Sequence, residues 1–175
     1  MTTEITNLHW YALYTRPRHE KKVYDQLVEK GVTSFLPLIE QVRQWKDRKK
    51  RIMMPLFSSY VFVRIHLKDR YTALQTHGVV RMVSFGGKPA AIPDWQIEQL
   101  KQVIQRPETL RLENYLREGD LVEVIHGPFK GIRGRLRELR GETRVVINID
   151  GIYQSASFVV EKELIRKIEE VPERV

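Results

Sequence analysis

Apolar residues recur along this chain with two periods, and the switches between them mark its elements. Trp10-Tyr11-Ala12-Leu13-Tyr14-Thr15 predicts an aromatic-rich first strand, which Arg16-Pro17-Arg18 stops. From His19 to Lys30 the period becomes helical, pairing Val23 with Leu27 and Tyr24 with Val28, and Gly31 stands at the C-cap position. Phe35 to Trp45 and Arg51 to Phe57 read as strand arms around the turn Lys46-Asp47-Arg48-Lys49. Ser59 to Ile65 is the strongest strand signal and predicts a central strand. A short helix over Asp69 to Thr76, a strand over Val79 to Phe85, and a helix opened by Pro93-Asp94 follow. Ile97, Leu100, Val103 and Ile104 share one face of that last helix. Strand, helix, two strands, helix, strand, helix predicts an antiparallel sheet with flanking helices, an α+β unit over residues 8–105.

Residues 106–118 contain Pro107, balanced charges and little apolar periodicity, which predicts a linker. Beyond them five short strands are expected, at 120–125, 132–139, 143–149, 154–160 and 164–168. Such short strands bury a core by closing into a small all-β barrel, here over residues 119–170. Residues 118 to 134 are the most informative stretch. Val122 and Val124 point one way, and Leu121, Glu123 and Ile125 the other. Gly127-Pro128 turns the chain, after which Ile132, Gly134 and Leu136 share one face and Arg133, Arg135 and Arg137 the opposite one.

Charge adds an asymmetry to this picture. The net charge is +8, and residues 1–105 hold 17 Lys and Arg against 9 Asp and Glu, while residues 119–175 hold 10 against 10. A basic first unit implies a polyanion partner, and a neutral second unit implies a protein partner. The chain has no cysteine, and its five histidines are scattered without ligand spacing, so no metal or cofactor is expected. No apolar run is long enough to span a membrane, and Met1 to Leu8 lacks the features of a secretion signal. A cytoplasmic monomer is expected. No nucleophile elbow, phosphate loop or paired-carboxylate constellation is present, which argues against an enzyme.

The stretch 118–134 resembles a KOW motif, and the two halves together resemble the NusG family: an N-terminal NGN domain, a linker and a C-terminal KOW barrel. The likeness is carried by Trp10-Tyr11, by Pro55 to Val63, by Gly78-Val79-Val80 leading to Phe85-Gly86-Gly87, and by Pro89 to Pro93. Phe57-Ser58-Ser59-Tyr60 departs from the Phe-Pro-Gly-Tyr of housekeeping members, and Gly151 to Ser157 departs from their barrel pattern. The chain is more similar to the specialised RfaH and UpxY-type branch; in RfaH the first segment is also Pro-Leu-Phe followed by two residues and Tyr.

The resemblance implies a transcription elongation and antitermination factor. Its NGN domain would dock on the RNA polymerase clamp through an apolar patch, here Trp10, Tyr14, Phe57 and Tyr60, of which Trp10 and Phe57 could equally be core residues. Non-template DNA would meet Arg16, Lys22 and His77, with Arg18 beside them; the hairpin residues Arg48, Lys49 and Lys50 would reach upstream duplex or exiting RNA. The barrel would bind a ribosomal small-subunit protein or Rho through Phe129, Ile147, Ile149 and Phe158. Phe129 could equally plug the barrel's end, and the Arg133, Arg135, Arg137 row could touch RNA. The competing reading is an RNA-binding module of ribosomal or RNA-recognition type, which has the same element order in its first half and Tyr60 to Val63 as its aromatic strand. That reading leaves the second half unexplained.

Overall fold

The structure, a computed structural model, describes residues 7–115 and 119–169. Most of the stretch Met1 to Leu8, the linker residues 116–118 and the end of the expected barrel at residue 170 lie outside the described residues. The chain divides into two units. One takes in Met1–Ile97 with Asp150–Ile152, and the other Glu98–Ile149 with Tyr153–Val175.

In the first unit β1 (Leu8–Thr15) lies between β5 (Tyr60–His66) and β6 (Val79–Met82), and β2 (Thr33–Phe35) pairs with the far side of β5. All three pairings are antiparallel, with Tyr11 opposite Val63 and Leu13 opposite Val61. These odd-numbered positions form one face of the sheet. Tyr11, Leu13, Val61, Val63 and Ile65 cluster there with Val23 and Leu27 of helix α1 (Glu20–Glu29) and Ala73 of helix α2 (Arg70–Leu74). Of the helical period read in the sequence, Val23 and Leu27 are the packing face of α1, Tyr24 is partly buried against the core, and Val28 is exposed. Ala12 and Phe62, on the opposite face, are buried as well, so both inner strands are covered on two sides, as a central position requires.

Two ribbons leave this sheet. β3 (Leu38–Gln44) and β4 (Lys49–Pro55) pair only with each other, in register from Leu38 opposite Pro55 to Gln44 opposite Lys49. The expected strand over Val79 to Phe85 is interrupted at Val83; its last two residues form β7 (Ser84–Phe85), which pairs with β8 (Lys88–Pro89). Helix α3 (Asp94–Ile104) follows, with Ile97, Leu100 and Val103 buried as its periodicity predicts.

Among the described residues the second unit holds six strands where five were expected. Their order is β14 (Ile165–Lys167), β10 (Leu121–Val124), β11 (Arg133–Leu139), β12 (Glu142–Ile149), β13 (Gln154–Val159) and β9 (Arg111–Asn114), every neighbouring pair antiparallel. The additional strand, β9, comes from the stretch expected as a linker, and a 3-10 turn at Pro107–Thr109 precedes it. Its inward residues are charged. Glu113 accepts hydrogen bonds from Arg111 Nε at 3.0 Å, Arg137 Nη1 at 2.8 Å and Ser157 Oγ at 3.0 Å, while the buried Arg144 donates to Ser157 Oγ at 2.9 Å. Val122, Val124, Ile132 and Gly134 are buried, as the alternation around the Gly127-Pro128 turn predicts. A Cβ at Gly134 would run into the Val146 carbonyl oxygen, which excludes any side chain there.

Candidate functional site

At one end of the first sheet three strands finish together, and the sequence has placed polar and aromatic groups there. Tyr14 of β1 lies opposite Tyr60 of β5 on one side and Arg81 of β6 on the other. The tyrosine rings meet edge to face with centroids 5.6 Å apart, and the Arg81 guanidinium sits 5.3 Å from the Tyr14 ring centroid. Both tyrosines are half-buried and Arg81 is exposed. The row Tyr60, Tyr14, Arg81 thus crosses three strands as a partly apolar, cationic strip.

Of the expected patch, Tyr14 and Tyr60 form this strip, whereas Trp10 and Phe57 are 3% and 0% exposed. Trp10 shares the even-numbered face with the tyrosines, and Phe57 packs edge to face on Phe62 at 6.4 Å. Both belong to the core, the alternative that the sequence left open for them, so the expected patch is reduced to the two tyrosines. Arg81 was not anticipated. Only the antiparallel register, with its bulge between Tyr14 and Thr15, brings it beside Tyr14.

The same end holds the first basic cluster. Thr15 N donates to Ser59 O and Arg16 N to Gly78 O, each at 2.8 Å, so the segments after β1, before β5 and before β6 are tied together. Gln26 Nε2 donates to His77 O at 3.1 Å and to Lys22 O at 3.0 Å, and the His19 and His77 rings lie 6.2 Å apart. His19 Nδ1 donates to Pro17 O at 2.9 Å, fixing the turn that presents Arg18, whose φ is 63°. Arg16, Arg18, Lys22 and His77 are all exposed, and three of them lie on segments that these bonds join directly. The Ser59 turn is itself held: the buried Glu20 carboxylate accepts the Ser59 N–H at 2.8 Å.

Arg48, Lys49 and Lys50 lie at the end of the β3–β4 ribbon, where every residue from Glu40 to Arg51 is exposed. In the second unit Ile147, Ile149 and Phe158 are buried, and Phe129 is half-buried with its ring centroid 4.4 Å from that of Phe158. Ile147, Ile149 and Phe158 are therefore core residues rather than a partner surface, and Phe129 packs on Phe158. The arginine row is engaged internally: Arg133 pairs with Glu123 at 3.3 Å, Arg137 with Glu113 at 2.8 Å, and Arg135 donates to Gly119 O at 3.1 Å. Hydrogen bonds from Arg166 and then Arg133 hold the Glu123 carboxyl below its usual range. Among the described residues no cluster of His, Asp and Glu has the makings of a metal site, and no helix is long and apolar enough to cross a membrane.

A family model described as transcription termination factor NusG matches residues 8–101. A Thermus thermophilus protein named transcription termination/antitermination protein NusG is 26% identical, over 83% of this chain and 91% of its own length. A Staphylococcus carnosus protein of the same name is 29% identical over 96% of this chain and its whole length. A solved structure titled domain interaction in Thermotoga maritima NusG covers 94% of this chain and 99% of its own, with a TM-score of 0.54 and 25% identity. A two-unit fold, a basic α+β half followed by an all-strand half, and these matches define a transcription factor rather than an enzyme. The chain belongs to the NusG family of termination/antitermination factors.

Proposed function

We propose that this chain is a cytoplasmic, monomeric elongation and antitermination factor that binds RNA polymerase at the clamp and suppresses pausing or termination. The single observation that carries the reading is the convergence of the Tyr60, Tyr14, Arg81 strip with the Arg16, Arg18, Lys22 and His77 cluster at one end of one sheet. Tyrosines give contact area at low entropic cost, and an adjacent arginine adds orientation. Basic groups on the segments beyond the strip would then take the displaced non-template strand, and the ribbon residues Arg48, Lys49 and Lys50 the upstream duplex or emerging transcript. Trp10 and Phe57 act as buried core residues of the same sheet face, fixing the strands that carry the tyrosines.

A factor that touches both the clamp and the nucleic acid beside it favours the closed clamp by the difference of its affinities for the two states. The neutral second unit recruits a protein, a ribosomal small-subunit protein or Rho, and raises its effective concentration near the transcript. Service of particular operons, as in the RfaH and UpxY-type branch, is supported by Phe57-Ser58-Ser59-Tyr60.

The test is binding of the full chain to assembled elongation complexes with intact or deleted clamp helices. Tyr14→Ala with Tyr60→Ala is expected to weaken binding to the intact complex at least about 30-fold, the loss of roughly one 2 kcal/mol hot spot. The double variant is not expected to matter on the deleted complex. Equal binding to both complexes would overturn clamp docking.

A further inference from the structure

We propose that Trp45 is a base-stacking platform, and that the β3–β4 ribbon grips single-stranded nucleic acid by stacking an unpaired base on this indole between basic side chains. The inference deepens the nucleic-acid role given above to Arg48, Lys49 and Lys50 and rests on that reading for the ribbon alone. Trp45 follows β3 at the ribbon's end, where its N–H donates to Arg48 O at 2.8 Å and closes the turn. It is 54% exposed although it is among the largest apolar side chains in the protein, and no core claims it. Lys50 Nζ stands 5.3 Å from its ring centroid, steadying the indole by a cation–π contact.

The ribbon's charge makes sense only with a partner. Arg43 lies directly opposite Lys50, a like-charge pair that weakens a two-stranded ribbon. By strand alternation Arg43 and Trp45 fall on the same side, and the cross-strand pairing puts Lys50 there too. Arg51 has a carboxylate within reach, Glu40 at 3.7 Å, but among the described residues no ion pair is found for Arg43 or Lys50. An indole flanked by cations fits a base flanked by phosphates: the ring stacks on any base, and the ammonium and guanidinium groups meet the backbone on either side. A duplex offers only the phosphates, because its bases are already stacked. The ribbon therefore selects unpaired strands, whether RNA or displaced DNA.

The experiment measures affinity of the full chain for labelled oligouridine, oligothymidine, a duplex and an abasic strand that keeps the phosphates. Trp45→Ala is expected to weaken both single strands about 5- to 100-fold, and Trp45→Phe to restore most of it. The duplex and the abasic strand should bind Trp45→Ala as they bind the natural chain. Tighter binding of oligouridine assigns the site to transcript, and tighter binding of oligothymidine assigns it to DNA. Equal loss on all four ligands, or no loss on any, overturns the proposal. Lys49→Gln with Lys50→Gln separates the two readings: if it weakens all four ligands while Trp45→Ala weakens none, the electrostatic role stands and stacking fails. If neither variant matters, the ribbon has no nucleic-acid role.

Discussion

Gly78 adopts φ 99° and lies where an added Cβ would come within 3.0 Å of Val23 Cγ2 and 3.2 Å of His19 Cβ. Two costs therefore coincide in Gly78→Ala, a disfavoured backbone and a clash with α1. The variant should lose about 1–3 kcal/mol in urea unfolding, with the Arg16 to Gly78 hydrogen bond strained alongside. Glu20 offers a second test, because its carboxylate is the acceptor for a partly buried Ser59 N–H. Glu20→Ala leaves that donor unpaired and should cost about 1–3 kcal/mol, and Glu20→Gln, which retains an acceptor, should cost less. At this scale the sequence was only half legible. Strand alternation correctly put Trp10 and Tyr14 on one face, but both faces of β1 are covered, so parity could not separate the buried Trp10 from the half-exposed Tyr14.

The elements were more legible where apolar periodicity generates them. The strands β1, β5, β12 and β13 and both longer helices fall where the pattern puts them, because each buries apolar residues. β9 was missed for the converse reason. Its inward positions are Arg111 and Glu113, while Leu112 is 53% exposed, so a hydrophobic pattern reads it as linker. Beyond its backbone pairing with β13, the side-chain contacts that hold β9 are ionic, and acid should weaken them. Burial alone would raise the Glu113 carboxyl; hydrogen bonds from Ser157 and Arg111 and the charge of Arg137 outweigh this and hold it below its ordinary value. A depressed folded value means that the stabilisation is fully present above the ordinary carboxylate range and is lost as pH falls through the lowered one. Glu113→Gln should therefore destabilise the protein by about 2 kcal/mol near neutrality and flatten the acid limb of its stability profile, as followed by urea midpoints across pH.

Across the whole molecule the charge asymmetry has a thermodynamic signature. The excess of Lys and Arg lies in residues 1–105, so affinity for nucleic acid should fall steeply with salt. Arg16→Ala with Arg18→Ala should reduce the slope of log affinity against log salt by about 1–2, and Arg137→Ala, in a row engaged by its own carboxylates, should leave it unchanged. Domain order and charge were legible from the sequence, and relatives at 26–29% identity align over 83–96% of this chain. The pairing of the ribbon with nothing but itself was not legible, since an isolated hairpin and a sheet edge carry the same alternation. That isolation also has a chemical consequence. Between Arg43 and Arg51 six trypsin-cleavable bonds stand exposed on a two-stranded ribbon that no third strand braces, Lys46 and Arg48 in its turn. Protease should nick the chain there first, and a bound strand should shield that bond before any other.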